Sequence, residues 1–316
     1  MPAPTLLLNV HEAIRPAWID GLRSAAARRD LEMVLHLDAA EVDPAQVDYI
    51  VFSQTGPMQD LSPYTRLKAI LNIWAGVEKV LANPTLPDGV PLCRMVESGM
   101  TEGMRDYIVA HVMRHHVDLD TVLRGVGAGW TAPVPPLARH RRVGLLGLGT
   151  LGGTVAAALV ALGFDVAGWS RSPKSLPGVE SHAGPEGLNT LLARSEILAC
   201  LLPRTAQTEN LLDAARLARL PKGARLINAG RGELIDDAAL LAALDSGHLG
   251  HATLDVFRQE PLPVDHPFRT HPGITVTPHI ASVTRPATAA ETIVAQVIRG
   301  EAGEPFAHVV DRARGY

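Results

Sequence analysis

Residues 143–152 read VGLLGLGTLG. The apolar run Val143 to Gly147 has the length of a strand, the glycines Gly147, Gly149 and Gly152 follow the spacing G-x-G-x-x-G, and an apolar helical segment, Thr154 to Leu162, comes next. In that setting each glycine has a physical task. Gly147 makes the tight turn, Gly149 lets a pyrophosphate approach the backbone, and Gly152 lets helix and strand pack closely. The helix N-terminus, at Thr150 and Leu151, then faces the phosphates. The stretch predicts a dinucleotide site.

Further apolar runs follow at Asp165 to Trp169, Glu196 to Leu202, Arg225 to Ala229, Ala252 to Val256 and Ile274 to Thr277, with helical segments between most of them. The series predicts an α/β fold with a doubly wound parallel sheet, a Rossmann nucleotide-binding domain. Before it, Thr5 to Val10, Tyr49 to Ser53 and Ala69 to Ile73 alternate with helix-like segments such as Pro16 to Arg29, the pattern of a second, smaller α/β domain. A proline-rich stretch, Ala132 to Pro136, reads as a linker. Between them Met104 to Leu123 has helical spacing, fit to connect the two units or to pack on a second subunit. His111 and His115 share a face of that helix, but no acidic or cysteine cluster completes a metal site, so a surface or interface helix is the preferred reading and no metal is expected.

Composition narrows the partners. A chain of 316 residues with 47% hydrophobic and 20% charged residues is long enough for two cores and reads as globular. A formal net charge of -4 argues against a nucleic-acid partner, and no apolar run is long enough to span a membrane. The opening MPAPTLLLNVHEAIRP has no basic n-region and reads as a first strand rather than a signal peptide, which points to the cytoplasm. Cys93 and Cys200 each sit in an apolar run, where buried reduced thiols are expected.

Ser170 falls 18 residues past Gly152, about where an acid would grip the adenosine ribose of NAD. The stretch there reads GWSRS. Arg171, flanked by Ser170 and Ser172 with Lys174 nearby, offers a guanidinium fork suited to a 2′-phosphate, and the missing acid removes the group that would repel it. NADP(H) is therefore the preferred cofactor, with NAD(H) possible. The alternative is a solvated turn with an incidental arginine.

Three more segments lie at or beyond the carboxyl ends of strands, the edge where open α/β sheets bind ligands. They read NAGRG (228–232), LDVFRQEPL (254–262) and TPHIAS (277–282), and they supply Arg231, Glu260 and His279. A cation, a carboxylate and an imidazole at three adjacent strand ends beyond a cofactor fingerprint form a catalytic set.

With these strings, together with LLPRTAQTENLL, LAALDSGHL and VDRARGY, the chain resembles the D-isomer-specific 2-hydroxyacid dehydrogenases, and within them the glyoxylate/hydroxypyruvate reductases of the A type. The resemblance implies that Arg231 holds a 2-keto acid, that His279 is the proton donor and that Glu260 is its partner. It implies that Leu202, Pro203, Asn228, Ala229, Gly230 and Asp255 line the nicotinamide end, and that amides at Ala75 and Gly76 hold the substrate carboxylate beside Trp74. It further implies a discontinuous, flavodoxin-like substrate domain of residues 1–98 and 285–316, a nucleotide-binding domain of residues 99–284, and a homodimer. The small-molecule partner is then glyoxylate or hydroxypyruvate, reduced to glycolate or D-glycerate. Two departures keep alternatives open. Trp74 replaces the usual glycine before Ala75, either as a pocket wall or as core, and Ser53 stands near where the subgroup tends to place a tryptophan. A reductase of larger 2-keto acids such as phenylpyruvate, and a nucleotide-sensing corepressor-like protein, are the rivals.

Overall fold

Leu6, Leu7 and Leu8 are consecutive and all buried, which requires a strand covered on both faces. The computed structural model describes residues 2–125 and 134–315. It divides the chain into two compact units, Met1–Met100 with Thr284–Tyr316, and Thr101–Val283. Among the described residues the first unit holds β1 (Thr5–Asn9), β2 (Val34–His36), β3 (Tyr49–Phe52), β4 (Ala69–Asn72) and β5 (Leu92–Cys93), all parallel, in the order β2-β1-β3-β4-β5. That is the flavodoxin-like order. Alternate side chains face opposite layers: Leu6, Leu8, Val51 and Leu71 pack with Trp18, Leu22 and Ile293, whereas Leu7, Ile50, Phe52 and Ile70 pack with Leu61, Tyr64 and Val80.

The second unit continues with β6 (Arg142–Leu146), β7 (Asp165–Trp169), β8 (Val179–His182), β9 (Ile197–Cys200), β10 (Ala224–Asn228), β11 (Leu249–Leu254) and β12 (Ile274–Val276). Its order, β12-β11-β10-β9-β6-β7-β8, reverses direction between β6 and β9, so the expected doubly wound parallel sheet is present with its switch point beside the glycine motif. One face packs Val143, Leu145 and Ile227 against Val155, Leu159 and Ile108; the other packs Leu146, Leu198 and Leu226 against Leu188, Leu192 and Leu240.

Register positions the site. Trp169, Leu146, Cys200, Asn228, Leu254 and Val276 form one row across the sheet. Every candidate segment of this unit leaves the sheet immediately beyond that row.

The helix expected over Met104 to Leu123 is two helices, Ser98–His116 and Leu119–Gly125, separated where Asp118 takes a left-handed φ of 53°. His115 and His116 are buried rather than on a helix surface. Of the expected linker, Ala132 and Pro133 lie outside the described residues, and Val134 to Pro136 are exposed and belong to no helix or strand. Cys93 and Cys200 are buried free thiols, as their apolar runs suggest, and burial pushes the Cys93 thiol up to about 12.

Candidate active site

The glycine motif has the contacts its spacing implies. Gly147 takes φ +109°, and a Cβ on Gly152 would come within 1.8 Å of the Gly147 carbonyl oxygen, so the helix can cross the turn only on glycine. At Gly149, the N-cap of the Thr150–Ala161 helix, a Cβ would meet nothing within 4 Å. The backbone there is open, and the helix N-terminus presents its unpaired amides beside it. The donor set fits a pyrophosphate.

Arg171 and Ser172 are exposed just beyond the end of β7. Ser170 is buried, and its hydroxyl donates to the Ser172 carbonyl at 2.7 Å, closing the turn that carries Arg171. At the ends of β9 and β10, Leu202, Asn228, Ala229 and Gly230 are buried and Pro203 is half-buried. Asn228 staples its own loop, donating to the Arg231 carbonyl at 2.8 Å and accepting from the Gly230 amide at 3.1 Å. A Cβ on Gly232 would stand 2.1 Å from the Phe257 carbonyl carbon, so the loops after β10 and β11 pack directly on each other.

Glu260 and His279 are brought together. His279 Nδ1 lies 2.7 Å from Glu260 Oε2, while the Phe257 amide donates to Glu260 Oε1 at 2.9 Å. Burial alone would push the Glu260 carboxyl up. The hydrogen bonds from His279 and Phe257, with the positive charges of His279 and Arg231, outweigh it and hold the carboxyl below its ordinary range. A carboxylate only accepts, so Nδ1 carries a proton and Nε2 is the ring atom left for chemistry. His279 itself sits at φ 55°, a left-handed conformation that costs a side-chain-bearing residue on the order of 1 kcal/mol.

Asp255 supports that conformation. It is fully buried; its backbone carbonyl accepts the His279 amide at 2.9 Å, and its carboxylate accepts the amides of Ile280 at 2.9 Å and Ala281 at 2.8 Å. This anchoring is invisible in sequence, where Asp255 is only a residue at a strand end.

In the first unit, Trp74 is half-buried and packs against the core, which accounts for part of its ring as core. Asn72, almost fully buried, donates to the carbonyls of Trp74 at 2.8 Å and Gly76 at 2.9 Å. Among the described residues the amides of Ala75 and Gly76 donate to no protein acceptor. Ser53 is buried and hydrogen-bonded to Thr55 at 2.9 Å, and Asn9 pins the loop behind it through the Met58 amide and carbonyl. Neither asparagine carries a motif, so nothing in the sequence singles them out. No group of three or more His, Cys, Asp or Glu among the described residues is arranged to hold a metal ion.

A glycine-rich turn at a parallel-sheet switch point, with an imidazole–carboxylate pair and an arginine on the same edge, defines a nicotinamide-dependent oxidoreductase. The chain belongs to the D-isomer specific 2-hydroxyacid dehydrogenase family, whose NAD binding domain its residues 108–281 match, and it is an NAD(P)-dependent dehydrogenase. It is 40% identical over 305 residues to glyoxylate/hydroxypyruvate reductase A of Salmonella newport, covering 95% of this chain and 96% of that one. A D-isomer specific 2-hydroxyacid dehydrogenase from Xanthobacter autotrophicus Py2, solved in complex with NADPH and MES, superposes with a TM-score of 0.92 at 41% identity over 99% of this chain and 100% of that one. The NADPH-dependent glyoxylate/hydroxypyruvate reductase of Sinorhizobium meliloti, solved with NADP and sulfate, superposes with a TM-score of 0.85 at 33% identity, over 99% and 100% of the two chains.

Proposed function

We propose that this dehydrogenase reduces glyoxylate or hydroxypyruvate to the 2-hydroxy acid with NADPH. The observation that carries the reading is the 2.7 Å pair of His279 and Glu260 on the same sheet edge as Arg231 and the glycine motif. A bound nicotinamide supplies the hydride; orientation and proton transfer fall to the chain. Arg231 binds the substrate carboxylate and polarises the keto group where negative charge develops. His279, its Nδ1 proton held by Glu260, gives its Nε2 proton to the carbonyl oxygen as the carbon is reduced, and the Glu260 carboxylate offsets the positive charge the ring carries until then.

Gly147, Gly149, Thr150, Leu151 and Gly152 take the pyrophosphate, Ser170, Arg171 and Ser172 the 2′-phosphate, and Leu202, Pro203, Asn228, Ala229, Gly230 and Asp255 the nicotinamide end. The Ala75 and Gly76 amides serve the substrate carboxylate. The 2′-phosphate role rests on the exposed Arg171 and on the lack of an acid at Ser170, and NADP complexes of the similar Xanthobacter and Sinorhizobium proteins support it. Buried free thiols suit the reducing cytoplasm. Exposed Leu119 and Leu123, one turn apart on the same helix, offer apolar surface to a second copy, and light scattering that returns a monomer would end the dimer assignment.

The deciding experiment follows oxidation of NADPH and NADH with glyoxylate, hydroxypyruvate and phenylpyruvate. Highest kcat/KM with NADPH and one of the two small acids is expected. Preference for phenylpyruvate overturns the substrate, preference for NADH overturns the cofactor, and NADPH binding without turnover of any acid leaves the sensor reading in its place.

A further inference from the structure

The Ser98–His116 helix carries Tyr107, His111, Arg114 and His115 on one face, by their spacing of four, three and one. That face meets the last two strands of the sheet through hydroxyls. His115 Nε2 lies 3.0 Å from Thr253 Oγ1, Arg114 donates to Thr275 Oγ1 at 2.8 Å, and Tyr107 Oη lies 2.7 Å from Thr277 Oγ1. Thr253 and Thr275 are register partners, so Asp255 and Thr277, two residues further on and one past the end of each strand, continue the same face.

The direction of the bonds there follows from proton counting. Thr277 Oγ1 stands 2.7 Å from Asp255 Oδ1, and a carboxylate that already accepts the Ile280 and Ala281 amides can only accept again. The single hydroxyl proton of Thr277 goes to Asp255. Its oxygen must therefore accept the proton of Tyr107. Burial, chiefly, pushes the Tyr107 phenol up, so this proton stays in place across the neutral range. The His111 ring lies against the Tyr107 ring, centroids 4.5 Å apart and tilted by 56°, and burial followed by the Arg114 charge pushes its imidazole down, leaving a neutral neighbour beside the ring.

We infer that Tyr107 is a positioning residue for His279: its hydroxyl, through Thr277 and Asp255, holds the left-handed turn that aims the imidazole. Packing on this face needs only a ring, and phenylalanine would supply one. The hydroxyl serves the chain of donors that ends on Asp255, whose carbonyl and two carboxylate oxygens collect the amides of His279, Ile280 and Ala281. The inference rests on the reading of His279 as the proton donor.

The test compares Tyr107→Phe, Thr277→Val, Thr277→Ser, the Tyr107→Phe/Thr277→Val double variant and His279→Gln for kcat, for KM of keto acid and NADPH, and for Tm. Loss of the phenol donor should lower kcat about fivefold with KM for NADPH unchanged, the size of effect expected from one hydrogen bond. Thr277→Val should lower kcat further, Thr277→Ser should restore it, and the double variant should match Thr277→Val alone, because both changes cut one chain. Wild-type kcat in Tyr107→Phe, whatever its Tm, overturns the inference, as does a double variant whose losses multiply. His279→Gln separates the two readings. Near-normal turnover there removes the proton donor itself; an inactive His279→Gln beside a fully active Tyr107→Phe removes only the positioning role.

Discussion

Ser170 spends its proton on the Ser172 carbonyl, 2.7 Å away, and this gives the Arg171 turn a fixed shape without an acid in it. Replacing Ser170 with Asp would add an anion against the 2′-phosphate but would also delete the donor that closes the turn. Arg171→Ala is the cleaner probe. If its guanidinium grips the phosphate, the variant should lose about 1.5–3 kcal/mol of NADPH affinity, tenfold or more in Kd, with NADH binding unchanged. Calorimetric titration with both cofactors reads this directly. Equal weakening of NADPH and NADH would reduce Arg171 to a turn residue and return the missing acid to an accident of the loop. Arg231→Lys tests the other fork: a lysine keeps the charge and loses the planar two-pronged contact, so kcat/KM should fall by about tenfold or more. An unchanged value would exclude bidentate binding of the carboxylate.

At the scale of elements, the glycine motif separates folding from binding. A Cβ at Gly152 would meet backbone at 1.8 Å, whereas a Cβ at Gly149, whose φ of -76° any residue adopts, meets nothing within 4 Å. Gly152→Ala should therefore destabilise the second unit by about 1–3 kcal/mol or more in urea unfolding. Gly149→Ala should keep wild-type stability and, with the pyrophosphate over this turn as proposed, lose cofactor affinity. Equal stability loss in both variants would mean that the motif serves only the turn. This motif was legible because its spacing, its strand and its helix are contiguous in the chain. The same holds for β1, β3, β4 and most strands of the second unit, whose apolar runs outlast the noise of local propensity. By contrast β2 (Val34–His36) and β5 (Leu92–Cys93) are only two or three residues long, and β2 and β8 (Val179–His182) are partly exposed sheet edges without an apolar run, so no periodicity announces them. The anchoring of the His279 turn was illegible for another reason: Tyr107 and Thr277 touch across 170 positions of sequence, and Asp255 and Ala281 across 26.

For the molecule as a whole, the polar layer under the Ser98–His116 helix couples folding of the second unit to pH. His115 is 1% exposed, and its imidazole is pushed down to about 2, first by burial and then by electrostatic repulsion from the neighbouring His251, Arg225, Arg114 and His111. Burial and Arg141 push His116 down as well. In the unfolded chain these groups take protons near pH 6.5. Because the folded value of His115 lies below the unfolded one, its contribution is fully present above about pH 6.5 and is lost as pH falls through the window down to about 2. That loss amounts to about 1.4 kcal/mol for each pH unit below 6.5, since the unfolded state takes up one proton that the folded state refuses. Two units need not unfold together, so the measurement is hydrogen exchange in peptides covering residues 104–116 and 249–256, read in denaturant at pH 7, 6 and 5. Stability of the second unit should fall steadily over that range, and His115→Gln, which cannot take up the proton in either state, should remove about one proton's worth of the slope. Identical slopes in the variant and the wild type would show that His115 titrates as freely in the folded protein as in the unfolded chain, and that the layer joining helix to strands is open to water.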